Sequence, residues 1–272
     1  STLIPNIMLK TDSDALFAAF KTTDIMYNLL VGGSIAAALI PVLSGYIARN
    51  EEGEGWKVVG SFINTIFVIM LLISSLGIIF APQVVSLTAP GYDKEVNQLT
   101  ITLTRILFPS VSFIMMAGLT NGVLNSYQRF AAAAYGPTIY NLGSVVSILT
   151  LYRYGVDKVA LGIMLSALIY FLFQLSFAYR HIAKNYSFKI YYKHPGYNRI
   201  IKLAIPSLLA SSVTQLNTVV SQSYTSNFKQ GSVTALNNAN DIWQLPYGIF
   251  AMGMGTALLP TFSEKLALGE EE

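Results

Sequence analysis

The chain has 272 residues, of which 53% are hydrophobic and only 11% charged, with a net charge of +3. Soluble domains usually carry about 25% charged residues, so this composition excludes an ordinary water-soluble globule. The lack of cysteine excludes a disulfide scaffold, a cysteine-ligated zinc site and a thiol nucleophile. The small net charge argues against a nucleic-acid partner. With a mean hydropathy of +0.51, the solvent is lipid.

A membrane-spanning helix needs about 20 apolar residues with few or no charges. Seven stretches free of Asp, Glu, Lys and Arg are long enough: Ile25–Ala48, Val58–Tyr92, Ile106–Gln128, Phe130–Tyr152, Val159–Tyr179, Leu203–Phe228 and Ile242–Ser263. They are continuously apolar, unlike the alternating strands of a membrane barrel. Backbone groups in lipid must be satisfied within the segment, which leaves the helix. The first helix can start as early as Asp14 and run to Ala48. Ala89-Pro90-Gly91-Tyr92 closes the second run with turn chemistry. Tyr152, Tyr154 and Tyr179 at run edges read equally well as interfacial anchors and as core packing. Ser1–Lys10 lacks the basic start and cleavage site of a signal peptide.

Lys and Arg divide ten to seven between the two sets of loops, and six of the ten lie in Arg180–Lys202. The positive-inside rule places that loop, and the C-terminus, in the cytoplasm. There the sequon Asn185-Tyr186-Ser187 would be idle. The loop interleaves basic residues with Tyr186, Phe188, Tyr191, Tyr192 and Tyr197. That pattern could dock on anionic headgroups, but the favoured reading is a solvated loop that fixes topology.

An internal repeat is visible. Residues 38–48 and 257–267 share Ala, Leu, Pro, Ser and Ala in register, and each segment is followed by glutamates. Asp24-Ile25 and Asp241-Ile242 precede them at similar distances. Transporters are often built from such repeats. The second copy would begin near Pro195, so the chain would hold one lobe and the opening of another, as in a truncated molecule.

Ionisable groups in membrane segments are costly and mark functional sites by default. Asp14, Asp24, Arg105 and Asp241 stand in or beside the runs, and Asn28 lies on the first. Asn237, Asn240 and Gln244 surround Asp241. Together they suggest a hydrophilic cavity lined by the first and seventh helices. The competing reading makes Asp24 and Asp241 caps of helix starts, and Arg105 pairs structurally as readily as it meets substrate. Gly32-Gly33, Gly253, Gly255, Pro41 and Pro260 sit where broken helices could hinge, although Gly and Pro are common in membrane helices anyway. Pro109 and Pro246 would also kink or break their helices. Gly118-x-x-x-Gly122 offers a small-residue packing face. No P-loop, HExxH or Ser-His-Asp arrangement occurs, and His181 and His194 are the only histidines. No enzyme, cofactor or metal site is expected.

Several stretches resemble the MurJ/MviN lipid II flippases in order along the chain. They are Thr11–Phe20, Gly33-Ser34-x-x-x-Ala38-x-x-Pro41-Val42-Leu43, Thr88–Tyr92, Arg105–Ser110 and Gly122–Phe130. Gly231–Leu236, Gln244-Leu245-Pro246-x-Gly248-Ile249-Phe250 and Gly255–Pro260 continue the likeness. The resemblance implies an all-α integral membrane protein of the multidrug/oligosaccharidyl-lipid/polysaccharide exporter superfamily. Two helical lobes would work around a central cavity by alternating access. The cargo would be a lipid-linked peptidoglycan precursor crossing the bacterial inner membrane. About seven complete spans and the tail of a preceding helix would be present here. Residues 1–194 would form the first lobe and 195–272 the first two helices of the second, with a further part supplying the missing helices. Family members carry cavity arginines and glutamates where this chain has Tyr27, Asn28 and Gly32, and an Asp-Arg pair and a glutamate where it has Asn240, Asp241 and Gln244. Those departures leave a cation-coupled exporter, another polyprenyl-linked cargo or an inactive membrane scaffold as alternatives.

Overall fold

The computed structural model describes residues 10–31, 34–225, 228 and 232–246. Among these, every regular element is a helix: α1 Lys10–Val31, α2 Ser34–Ala48, α3 Glu52–Ile79, α4 Ala81–Thr88, α5 Lys94–Ser126, α6 Phe130–Leu151, α7 Val156–Asn185, α8 Pro195–Thr225 and α9 Ser232–Pro246. A short 3-10 turn, Tyr152–Tyr154, joins α6 to α7. Gly155 follows it at φ 112°, a left-handed conformation that suits glycine. Three of the helices, α3, α5 and α7, are long and apolar enough to cross a membrane. The chain divides into two compact units, Thr2–Ser223 and Tyr224–Glu272, with Ser1 assigned to the latter.

Several ends differ from the apolar runs for one reason: charge interrupts hydropathy without interrupting a helix. Helix α5 begins at Lys94, well before the run at Ile106, and carries Arg105 inside it. At 33 residues it is about 50 Å long, so its polar first turns can project beyond a hydrocarbon core of about 30 Å. Helix α9 likewise begins at Ser232, so Asn237, Asn240 and Asp241 lie on a helix. The second run breaks at Phe80, and Pro82 takes the first turn of α4, where its missing N–H costs nothing. Pro41 and Pro109 do not break their helices. Membrane helices tolerate proline where neighbours satisfy the freed carbonyl.

Helix α5 is the centre of the first unit and shares both of its large cores. On one side Leu39 and Leu43 of α2, Trp56, Val59 and Phe62 of α3, and Ile200 of α8 pack with Met115 and Leu119. On the other, Ala15, Leu16 and Ala19 of α1 meet Leu103 and Leu107, with Ile148 of α6 and Val159 and Ile163 of α7. The outward faces are apolar as well. Phe67, Val68, Leu71, Leu72, Leu76 and Ile79 are exposed along α3, and Leu161, Leu165, Ile169 and Leu172 along α7. In water such stripes would aggregate; in lipid they are the expected surface.

Hydrophobicity does not drive helices together in lipid, so close packing and polar contacts hold the bundle. The Ser74 and Ser112 hydroxyls are hydrogen-bonded at 2.7 Å between α3 and α5, and those of Thr22 and Thr88 at 2.9 Å between α1 and α4. At one end a polar clamp joins α3, α5 and α7. The Tyr127 hydroxyl donates to the Glu52 carboxylate and accepts from Trp56 Nε1 at 2.9 Å. Asn185 Nδ2 donates to Glu52 at 3.0 Å. The sequon asparagine is therefore engaged inside the clamp.

The basic loop is fixed rather than free. Asn64 Nδ2 donates to the Ser187 carbonyl at 2.9 Å, and the Tyr191 N–H donates to Ser61 Oγ at 2.8 Å. Arg180 and Lys184 belong to α7, and Arg199 and Lys202 to α8, so the loop proper spans residues 186–194.

Candidate functional site

The expected cavity residues fall into both compact units. Asp14, Asp24, Asn28 and Arg105 belong to the first, and Asn237, Asn240, Asp241 and Gln244 to the second. Asp14 is half-buried on α1 and Asp24 is exposed on the same helix. The side chains of Asn28, Asn237 and Asp241 lie outside the described residues, as do Gly32, Gly33, Gly253, Gly255 and Pro260 entirely. On α9, Asn240 and Gln244 are exposed one turn apart, on one face of the helix. Pro41 is exposed within the continuous α2.

Arg105 has a visible structural task. Its Nε donates to the Ile78 carbonyl at 3.2 Å, which satisfies one of the orphan carbonyls at the C-terminal end of α3.

Asp24 stands among aromatic groups, of which the sequence reading named only Tyr27, as a departure from the family's cavity residues. Its charge reaches the phenols of Tyr27 and Tyr140. Tyr140 and Tyr170 lie with ring centroids 6.5 Å apart. The Tyr27 hydroxyl stands 4.0 Å from where Gly118 would place a Cβ, so that glycine leaves room for the phenol. Asn121 and Gln174 both donate to the Ala133 carbonyl, at 3.1 and 3.0 Å. This polar seam runs between α1, α5, α6 and α7. Its members come from four helices, so no single local motif reveals them.

Asp14 meets the turn after α4. Burial first, and the Asp14 charge second, push the Tyr92 phenol from its ordinary 10.0 up to about 12. The folded protein therefore favours the neutral phenol. The stability this contributes is complete below pH 10 and is lost as pH rises towards 12. In an ultraviolet titration, the difference between wild type and Tyr92→Phe should show ionisation near 12. Asp14→Asn should lower it only part of the way, because burial is the larger cause. A Tyr92 transition at 10.0 in the wild type would separate Asp14 from this tyrosine.

These features define a multi-pass helical membrane protein with polar and ionisable groups on its first and last described helices. A family model described as lipid II flippase MurJ matches residues 8–272, and the chain belongs to that family. It is 29% identical to a probable lipid II flippase MurJ of Rhizobium tropici, over 94% of this chain and 50% of that protein. It is 28% identical to the lipid II flippase MurJ of Burkholderia cenocepacia, over 93% of this chain and 50% of that one. A solved structure of lipid II flippase MurJ in an inward closed conformation superposes with a TM-score of 0.76 at 25% identity. That match covers 93% of this chain and 53% of the solved one. The chain thus spans about half the length of the curated relatives it matches.

Proposed function

We propose that this chain forms the first lobe, and the opening of the second, of a flippase that carries lipid II across the cytoplasmic membrane. The family match over residues 8–272 carries this reading. Residues 1–194 form the first lobe and 195–272 begin the second. The headgroup is met by Asp14, Asp24, Asn28 and Arg105 of the first unit and by Asn237, Asn240, Asp241 and Gln244 of the second. The lobes rock about Gly32, Gly33, Pro41, Gly253, Gly255 and Pro260. The basic loop and the C-terminus face the cytoplasm, in keeping with the Lys and Arg distribution. No bond is made or broken, so the chain acts as a transporter.

Mechanism follows from the electrostatics of the polar faces. Carboxylates at Asp24 and at Asp241 would each repel a pyrophosphate, so these acids suit sugar and peptide hydroxyls and amines instead. Tyr27 and Tyr140 beside Asp24 extend that surface with phenol donors and apolar ring faces. Helices matching the half of the relatives that this chain does not cover complete the transporter.

The test is genetic. Cells depleted of their own flippase receive the chain joined to the second half of a full-length relative. Growth and delivery of lipid II to the outer face should return, and Asp24→Ala should reduce that rescue at unchanged membrane abundance. A membrane-inserted fusion that restores neither growth nor delivery would overturn the reading.

A further inference from the structure

The α5–α6 turn and the last turns of α7 border a cavity of about 580 Å³, whose lining includes none of the polar groups named on α1 and α9. Gln128, Arg129, Phe130, Phe177, Arg180 and His181 line it. Two guanidiniums and an imidazole thus share one hollow, and neither Arg129 nor Arg180 forms an ion pair among the described residues. The neighbouring acid, Glu52, is taken up by Tyr127 and Asn185.

The hollow is built, not incidental. Gln128 sits at φ 59°, in the left-handed region that a non-glycine residue seldom adopts. Its N–H donates to the Asn125 carbonyl, and that of Arg129 to the Leu124 carbonyl, both at 2.9 Å. This tight turn swings Arg129 to the head of α6. His181 is held from behind by stacking on Tyr127, with centroids 3.9 Å apart. Leu124, Ala133 and Ala178 form an apolar core in the same region, between α5, α6 and α7.

Its depth in the membrane follows from the exposed residues of α7. The lipid-facing stripe Leu161, Leu165, Ile169, Leu172 continues to Phe177 and then gives way to Arg180 and His181. The change from apolar to cationic marks the headgroup level. Phe130 and Phe177, 62% and 51% exposed, flank the cationic groups on the apolar side.

We propose that this cavity binds the headgroup of an anionic glycerophospholipid from the adjoining leaflet. Arg129 and Arg180 take the phosphate oxygens through their forked N–H groups. The first acyl carbons lie against Phe130 and Phe177. This requires only that the chain sits in a bilayer, whatever cargo it carries.

Native mass spectrometry of the whole chain in detergent, titrated with phosphatidylglycerol, tests it. The wild type should retain phosphatidylglycerol at least tenfold more tightly than Arg129→Gln/Arg180→Gln, and more tightly than phosphatidylcholine. Lys189→Gln/Lys193→Gln, on the basic loop, should bind as the wild type does. Equal melting temperatures in lipid-free detergent would confirm that the variants fold. Arg129→Lys/Arg180→Lys keeps both charges and should still lose affinity, because the fork is gone; it serves if the glutamine pair does not fold. Unchanged retention by both arginine variants would overturn the proposal. So would equal retention of phosphatidylcholine, or preferential retention of a polyprenyl phosphate over phosphatidylglycerol.

Discussion

Replacing Gly162 by leucine is expected to destabilise the first compact unit by about 2 kcal/mol, or about 4–8 °C in Tm. A Cβ at Gly162 would stand 2.6 Å from Ser147 Oγ and 2.7 Å from Ser147 Cβ. The Cβ atom is bonded to the backbone of α6 and cannot swing aside. The reciprocal contact is as tight: a Cβ at Gly143 would stand 2.6 Å from Ser166 Oγ and 2.9 Å from its Cβ. Gly143-x-x-x-Ser147 on α6 therefore lies against Gly162-x-x-x-Ser166 on α7, and the two helices meet almost backbone to backbone. Leucine gains up to about 0.8 kcal/mol in helix propensity, which does not offset forcing the helices apart. Gly53→Ala is the control. Nothing lies within 4 Å of a Cβ there, so that change should be neutral or slightly stabilising. Thermal unfolding in detergent distinguishes the two. A Gly162→Leu protein that melts with the wild type would mean that α6 and α7 do not meet this closely.

That crossing shows where sequence reading stops. Gly118-x-x-x-Gly122 matches the small-residue pattern, yet in the fold Gly122 only makes room for Leu39, at 3.2 Å, and Gly118 for the Tyr27 hydroxyl. The tighter pair uses serine in place of the second glycine on each helix, and a glycine pattern alone does not find it. The helical class was plain from apolar runs, because lipid leaves the backbone no other choice. Helix starts were less plain: Lys94, Glu95 and Arg105 interrupt hydropathy but not α5. The family was readable in the motif order, and the match over residues 8–272 agrees with it. Asp14 and Asp24 were found because charge is rare in such a sequence. Tyr27 was noticed only as a departure from the family's cavity residues, and Tyr140 and Tyr170 not at all, because aromatic residues are common there and only tertiary contacts distinguish them. The cavity at Arg129 and Arg180 was hidden in the same way, since its two arginines are 51 residues apart in sequence.

Tyr127→Phe should cost the protein about 2 kcal/mol, although it removes a single oxygen. The hydroxyl serves two partners, donating to Glu52 and accepting from Trp56 Nε1. Trp56 is only 1% exposed, so its indole N–H has no water to replace the phenol. Leaving a buried donor unsatisfied costs about 1–3 kcal/mol, more than the hydrogen bond contributes when made. Glu52 keeps Asn185, which limits the second loss. Phenylalanine preserves the stack on His181, so the effect isolates the hydroxyl. Glu52→Gln should be milder, because its amide oxygen still accepts from Tyr127. The variant should also change the environment of Trp56, one of two tryptophans, so its emission should shift against a Trp243→Phe background. Because Gln128 and Arg129 follow Tyr127 directly, a loosened clamp should carry the lipid cavity with it. Phosphatidylglycerol retention should then weaken in Tyr127→Phe by less than in the double arginine variant. Wild-type melting and emission in Tyr127→Phe would instead mean that the clamp is not closed in the membrane protein.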